Sequence, residues 1–200
     1  MSETLMFPRK PVIHLYDPLG DLLGAGDGVF SYTFDDVAKM SGHACPTVVG
    51  GFLLVKRAVE ELWGDDMPQR GDIRVTVYGA QNEGTNGPIS QVFTLLTGAA
   101  ADNGFHGLGG QFARCGLLQF HSGDSYADHG FRFERISTGD SVTLIYDPSG
   151  ILPAPTMGED LGNILGGFAN EETVKRFRDA WRERVLRILE DAGKSTVSPV

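Results

Sequence analysis

The chain has 200 residues, of which 41% are hydrophobic, and this length fits one domain or one domain with an appendage. Its formal net charge of −9 argues against nucleic acid and anionic membranes as partners, because proteins meet both with basic surfaces. Two cysteines are too few for a disulfide framework, and no segment has the length of a signal peptide or a membrane span. We therefore expect a soluble, cytoplasmic protein, and its many glycines favour an α+β domain over a helical bundle.

The N-terminal part of the chain predicts a loose leader followed by short elements. Residues 1–10 carry no regular pattern, and the short apolar run 11–16 contains His14. Residues 30–34 alternate aromatic and polar side chains, as a strand with one aromatic face does. Either of two aspartates then caps a brief helix over 37–40.

A helix from Pro46 to about Trp63 is the most clearly marked element. Proline fits the first helical position because its φ is fixed and it has no N–H to lose, so Cys45 becomes the N-cap. Apolar residues cover more than one face of this helix, which predicts deep burial. The Gly50–Gly51 pair costs about 1 kcal/mol per residue relative to alanine, and so predicts a closely packed neighbour, either a strand or a second subunit.

The middle of the chain predicts strands and one more helix. Residues 73–78 alternate like a strand with one buried face, and a polar, glycine-rich junction leads into a helix over 89–96. Junctions of this kind present ligand groups in α/β packing. Strands are predicted over 116–120, 130–136 and 142–146, joined as hairpins.

The C-terminal part predicts irregular structure and then one long helix. Residues 147–167 are rich in proline and glycine, whereas 171–192 form an amphipathic helix capped by Asn170. We divide the chain into an α+β core domain with its leader, 1–168, and a C-terminal helical segment, 169–200. We expect that helix to pack on the core or at a dimer interface.

The reactive residues concentrate in the segment Gly42-His43-Ala44-Cys45-Pro46. A thiol at an N-cap faces unpaired N–H groups and the positive end of the helix dipole, and both favour the thiolate, which binds metals or attacks electrophiles. His43 supplies an imidazole to the same ligand or takes the proton of the thiol. The alternative interpretation is a small buried residue beside a turn.

This Gly-His-x-Cys-Pro element at a helix start, together with the Leu96-Thr97-Gly98 end of the next helix, resembles the FmdE family of formylmethanofuran dehydrogenase subunits. The match covers roughly residues 35–121. The resemblance implies a two-layer core, with helices packed on a mixed or antiparallel sheet, and often a homodimer. It also implies that His43 and Cys45 belong to a metal site or an active site.

The chain departs from that family in two respects. Where the family commonly has further cysteines, this chain has Pro88 and Ala99. In place of the cysteine zinc finger that ends many members, it has the C-terminal helix. What remains of the family's site is His43 with Cys45, which needs partners from elsewhere in the chain.

Four further residues bear on the site. A zinc ion takes three or four protein ligands, and His14 and His106 are the additional metal candidates. Glu83, in the junction loop, is a candidate catalytic base or a ligand. Each of these three can also be interpreted as an ordinary structural or solvated residue. Cys115, at a strand start, is interpreted as an inert buried thiol.

Three functions stay open at this point. The first is a divalent transition-metal protein, with zinc favoured over iron, nickel or copper, that acts on a small molecule beside Gln81, Asn82 and Glu83. The second is a metal-free enzyme with Cys45 as nucleophile, His43 as base and the helix N-terminus as oxyanion site. The third is a non-catalytic module that binds a metal or a haem.

Overall fold

The computed structural model describes residues 6–122 and 130–200 and shows an α+β protein. Residues 1–5 of the predicted leader lie outside the described residues. In these two ranges, no helix combines the length and the apolar character needed to cross a membrane. The elements, in chain order, are β1 (Ile13–Tyr16), α1 (Pro18–Leu22), β2 (Val29–Tyr32), α2 (Phe34–Ser41), α3 (Pro46–Trp63), β3 (Ile73–Tyr78), α4 (Asn86–Thr97), β4 (Leu118–His121), β5 (Gly130–Arg135), β6 (Ser141–Tyr146), α5 (Met157–Leu165), α6 (Glu171–Asp191) and β7 (Val197–Pro199).

Five strands form one mixed sheet in the order β4-β3-β5-β6-β7, and β1 pairs with β2 in a separate antiparallel sheet. β4 runs parallel to β3, and the other neighbours are antiparallel. The predicted hairpin between β4 and β5 is wrong, because β3 lies between them. The predicted hairpin of β5 with β6 is confirmed.

Pairing between buried side chains explains why β5 lies next to β3. Phe133 stands opposite Val75, and Phe131 stands opposite Val77, so apolar residues of both strands face the same side of the sheet. The helices cover this side, with α3 in contact with α4, α6 and β6. The two-layer arrangement of helices on a mixed sheet is therefore confirmed.

Side chains from other elements of the same chain fill the space beside the glycine pair of α3. The ring of Tyr146 in β6 occupies the space that a side chain at Gly50 would need. A Cβ atom at Gly51 would lie 2.9 Å from the Cβ of Val92 in α4. The predicted close neighbour is confirmed, and it is a strand on one side and a helix on the other. The glycine pair consequently gives no support to a second subunit.

The prediction for the start of α2 is wrong by several residues. Phe34 begins the helix instead of ending a strand, because Thr33 and Asp36 form a capping box. The backbone N–H of Thr33 donates to the Asp36 carboxylate at 2.7 Å. This bond fixes the helix start where the aromatic alternation predicted a continuing strand.

The C-terminal third contains α5, within residues predicted to be irregular. Its Asp160 is only 1% exposed and accepts a hydrogen bond from Arg176 Nε of α6 at 2.9 Å, so a non-local ion pair holds α5 against α6. α6 itself begins after Asn170, as predicted. Its second half is buried in the core through Val185 and Ile188.

Candidate functional site

Cys45 is the N-cap of α3, as predicted, with an extended backbone at φ −148° and ψ 166°. Gly42 ends α2 in the left-handed conformation, at φ 72°, and this turns the chain from one helix into the next. The Cys45 side chain is half-buried beside the core and makes no capping hydrogen bond. Its sulfur is thus not used to hold the start of the helix.

Two distant side chains fix the peptide groups on either side of Cys45. Trp181 of α6 donates through Nε1 to the carbonyl oxygen of Ala44 at 2.8 Å. The hydroxyl of Tyr146 in β6 donates to the carbonyl oxygen of Pro46 at 2.7 Å. The backbone that carries the thiol is therefore held from the sheet and from the last helix at once.

The Tyr146 phenol is kept protonated by its surroundings. Burial raises its pKa well above the ordinary value of 10.0; the neighbouring Arg184 opposes this shift, while Cys45, Asp147 and Asp191 reinforce it. The hydroxyl accordingly remains a hydrogen-bond donor to Pro46 at neutral pH.

The imidazole of His43 is exposed and oriented by the backbone. Its Nδ1 lies 2.9 Å from the carbonyl oxygen of Ser41. Because a carbonyl oxygen only accepts, Nδ1 carries the hydrogen, and Nε2 of the neutral ring keeps its lone pair. The ring is therefore prepared to accept a proton or to bind a metal through Nε2.

His14 lies in a different part of the molecule. Its Nδ1 is 2.8 Å from the hydroxyl of Ser31 on β2, and it lines a groove with Lys56 and Glu60 of α3. At 1.5 Å of rise per residue, Lys56 is roughly 16 Å along the helix axis from Cys45. The structure thus does not bring His14 together with Cys45.

His106 contacts the other cysteine of the chain. Its Nδ1 lies 3.4 Å from Sγ of Cys115, nine residues further along the chain. Cys115 is half-buried, as Cys45 is, and not buried as predicted. Sequence reasoning missed this pair because neither residue belongs to a local motif with a fixed geometry.

The predicted metal site needs at least three ligands. His43 and Cys45 are neighbours in the chain, whereas His14 binds Ser31 and His106 contacts Cys115. Across residues 6–122 and 130–200, no group of three or more histidine, cysteine, aspartate or glutamate side chains is arranged to hold a metal ion. The described part of the chain therefore does not complete the site.

The Glu83 side chain forms a hydrogen bond within the junction between β3 and α4. Its Oε2 accepts a hydrogen bond from the N–H of Ala80 at 3.0 Å. Asn86, which is buried, donates to the carbonyl oxygen of Ala80 at 3.0 Å. In this conformation the Glu83 carboxylate stabilises a turn, and the loop presents Gln81 to the neighbouring cleft.

That cleft, of about 620 Å³, runs from the end of α2 along α4 to β4. Its size lies within the range of small-molecule pockets. Met40, at one end, stands in the last turn of α2, directly before the segment that carries His43 and Cys45. The lining combines amide and hydroxyl groups with apolar side chains: Gln81, Ser90, Thr94, Leu95, Leu118 and Phe120.

A buried cluster of charges, which no sequence pattern indicated, anchors the loop before β4. Asp17 binds Arg114 at 2.7 Å and Arg70 at 3.3 Å. Arg114 is only 8% exposed, and burial lowers its pKa while the charge of Asp17 opposes that shift. Gly71, at φ 83°, leaves the space that the guanidinium of Arg114 occupies.

The fold and these contacts define an α+β protein with two cysteines in separate settings. In the comparisons with known proteins, no family model, no curated protein and no solved structure matches this chain. Function is therefore inferred from the geometry of the sites.

Proposed function

We propose that this chain acts on a small molecule through the thiol of Cys45, with His43 as the neighbouring proton acceptor. One observation carries the proposal. Trp181 and Tyr146 fix the peptide groups on both sides of Cys45, yet the sulfur makes no capping hydrogen bond. A functional group requires a rigid backbone and a reactive side chain that is not needed to cap the helix.

The chemistry follows from the helix start. The proton of the thiol passes to Nε2 of His43, and the sulfur forms a bond to an electrophilic carbon, such as a carbonyl carbon. The negative charge that develops on the carbonyl oxygen is stabilised by the free N–H groups in the first turn of α3. The cleft that includes Met40 is lined by neither His43 nor Cys45, so this proposal does not depend on it.

Metal binding by the same two residues is the second candidate. It is favoured by the contact between Nδ1 of His43 and the Ser41 carbonyl, because metal-binding histidines usually donate their other N–H in this way. The resemblance to the FmdE family points in the same direction. A zinc, iron, nickel or copper ion would take its other ligands from the small molecule or from a second copy in the predicted homodimer.

One set of variants separates these candidates. We would measure metal content by plasma mass spectrometry, the absorption spectrum, and the rate of alkylation by iodoacetamide for the wild type, Cys45→Ser, His43→Ala and the matched control Cys115→Ser. A thiol enzyme gives fast alkylation of Cys45, slowed about tenfold or more in His43→Ala, without bound metal.

A metal protein gives near-stoichiometric metal that is lost in Cys45→Ser and His43→Ala but kept in Cys115→Ser. A haem in the absorption spectrum would support the non-catalytic module instead. Both candidates fail if Cys45 reacts no faster than the same residue in the unfolded chain and no metal binds after zinc is added.

A further inference from the structure

The loop between α4 and β4 contains a second thiol and imidazole in contact. Nδ1 of His106 and Sγ of Cys115 are 3.4 Å apart, a distance at which a proton can pass from sulfur to nitrogen. The ring is exposed and the thiol is half-buried, so a solute can reach the ring fully and the thiol in part. This pair shares no residue with the segment around Cys45.

A two-glycine turn folds the loop back on itself. Leu108 and Gln111 exchange both backbone hydrogen bonds, each at 2.9 Å, around Gly109 and Gly110. These glycines have φ values of 55° and 81°, the left-handed pair that a tight hairpin turn of this kind requires. The chain therefore reverses direction at this turn, and the residues just before the turn lie next to those just after it.

The base of this hairpin holds the two reactive side chains together. The carbonyl oxygen of Phe105 accepts from the N–H groups of Arg114 at 2.7 Å and Cys115 at 3.1 Å. Arg114 is in turn fixed by its buried ion pair with Asp17. The backbone hydrogen bonds to Phe105 and the ion pair of Arg114 thus hold His106 and Cys115 in contact.

Two large apolar residues lie close to His106 in the chain, one position before it and two positions after it. Phe105 and Leu108 are 43% and 44% exposed, although each is large enough to favour burial. Exposed apolar side chains beside a reactive pair favour a ligand with an apolar or aromatic part. The reactant should therefore be one that a thiol attacks and that carries an apolar or aromatic group.

We propose that Cys115 is a second reactive thiol, which exchanges with small disulfides that carry an apolar or aromatic group, and that His106 is its proton acceptor. The proton of Cys115 moves to Nδ1 of His106, and the sulfur attacks one sulfur of the disulfide. The S–S bond of the reactant breaks as the new bond to Cys115 forms. The departing thiolate takes the proton from the imidazolium, so electrons and protons balance without a further oxidant.

The test uses the full-length Cys45→Ser variant, in which Cys115 is the single thiol. The probes are 2,2′-dithiodipyridine, which is aromatic and uncharged, and oxidised glutathione, which is polar and charged. Each rate is divided by the rate of the same variant unfolded in guanidinium chloride, and intact mass confirms one adduct at Cys115. We compare His106→Asn with the matched control His14→Asn, both in this background.

Near pH 7 we expect the folded protein to react about tenfold or more faster than the unfolded chain. His106→Asn removes this gain and His14→Asn keeps it. Near pH 10, where a thiol ionises without a base, the rates of the His106→Asn and parent proteins converge. Phe105→Ser and Leu108→Ser slow the reaction with dithiodipyridine and leave that with oxidised glutathione unchanged.

Three results would overturn the proposal. One is a folded rate no higher than the unfolded rate, and another is an equal effect of His106→Asn and His14→Asn. The third is a His106→Asn effect of the same size at both pH values, which would mean that the ring supports the loop without accepting the proton. Because Cys45 is absent throughout, none of these results bears on the function proposed for Cys45.

Discussion

The two cysteines of this chain are held in opposite ways. Cys45 lies two residues from His43, and its backbone is fixed from outside by Tyr146 and Trp181, while the His43 ring turns to a backbone carbonyl. Cys115 lies nine residues from its histidine, yet the two side chains are in contact. A short motif therefore determines backbone geometry, whereas the contact between a thiol and an imidazole depends on a turn. Gly110→Ala tests whether the two regions are independent, and the other substitutions test contacts that hold the fold.

The largest effect is expected for Asp17→Asn. It leaves the buried guanidinium group of Arg114 and the half-buried one of Arg70 without their carboxylate, which should lower the free energy of unfolding by about 3–5 kcal/mol, measured by urea denaturation. The matched control Asp179→Asn removes an exposed ion pair with Lys175 and should change it by less than about 0.5 kcal/mol. Equal effects of the two variants would show that the buried cluster does not stabilise the fold.

Gly110→Ala should separate the two thiol regions. The residue has φ 81°, so alanine costs about 1–2 kcal/mol and opens the hairpin that brings His106 to Cys115. Exchange at Cys115 should slow, and alkylation of Cys45 should stay unchanged. Gly150→Ala, at a site with open space and no left-handed φ, is the control. A parallel loss of Cys45 reactivity would mean that the two regions are coupled.

Tyr146→Phe keeps the ring beside Gly50 and removes the hydrogen bond to Pro46, which should cost about 1 kcal/mol of unfolding free energy. The variant also tests the alkaline limit of stability. Burial raises the folded-state pKa of Tyr146, so its contribution is complete below the unfolded value near 10.0 and is lost as the pH rises through the folded value.

We therefore expect the stability of the wild type to fall when the pH rises above about 10, and to fall less in Tyr146→Phe. Trp181→Phe loses the other flanking hydrogen bond but no titrating group, so it should cost a similar amount and keep the full alkaline decline. Urea denaturation on either side of pH 10 measures both effects. An identical decline in all three proteins would refute the assignment to Tyr146.

The smallest effect is expected for His14→Ala. The side chain is exposed and binds Ser31, so its loss should change the unfolding free energy by less than about 0.5 kcal/mol and leave both thiols equally reactive. Thermal unfolding and alkylation rates check this. If His14→Ala instead lost bound metal, His14 would be restored as a ligand in a rearranged site.

Local patterns predicted the elements whose causes are local. Pro46 fixed the start of α3 and the N-cap position of Cys45, and the Gly50–Gly51 pair indicated close packing, now assigned to Tyr146 and Val92. Alternation located β3 at its observed bounds. These features depend on neighbouring residues, so the sequence carries their signal.

Contacts between distant residues escaped prediction. Arg114 and Asp17 are 97 residues apart, and the insertion of β3 between β4 and β5 depends on pairing that no window of the sequence contains. The Gly109–Gly110 turn predicts a tight hairpin, but extending its two arms from the Leu108–Gln111 pair places His106 opposite Ala113. The contact of His106 with Cys115 therefore could not be predicted from the turn alone.

The most direct test of the account is the alkylation rate of Cys45 by iodoacetamide near neutral pH in the Cys115→Ser variant, where it is the single thiol. We predict that the folded protein reacts faster than the same variant unfolded in guanidinium chloride, and that adding His43→Ala removes most of the difference. A folded rate equal to or below the unfolded rate would contradict the proposal that the start of α3 presents an activated thiol.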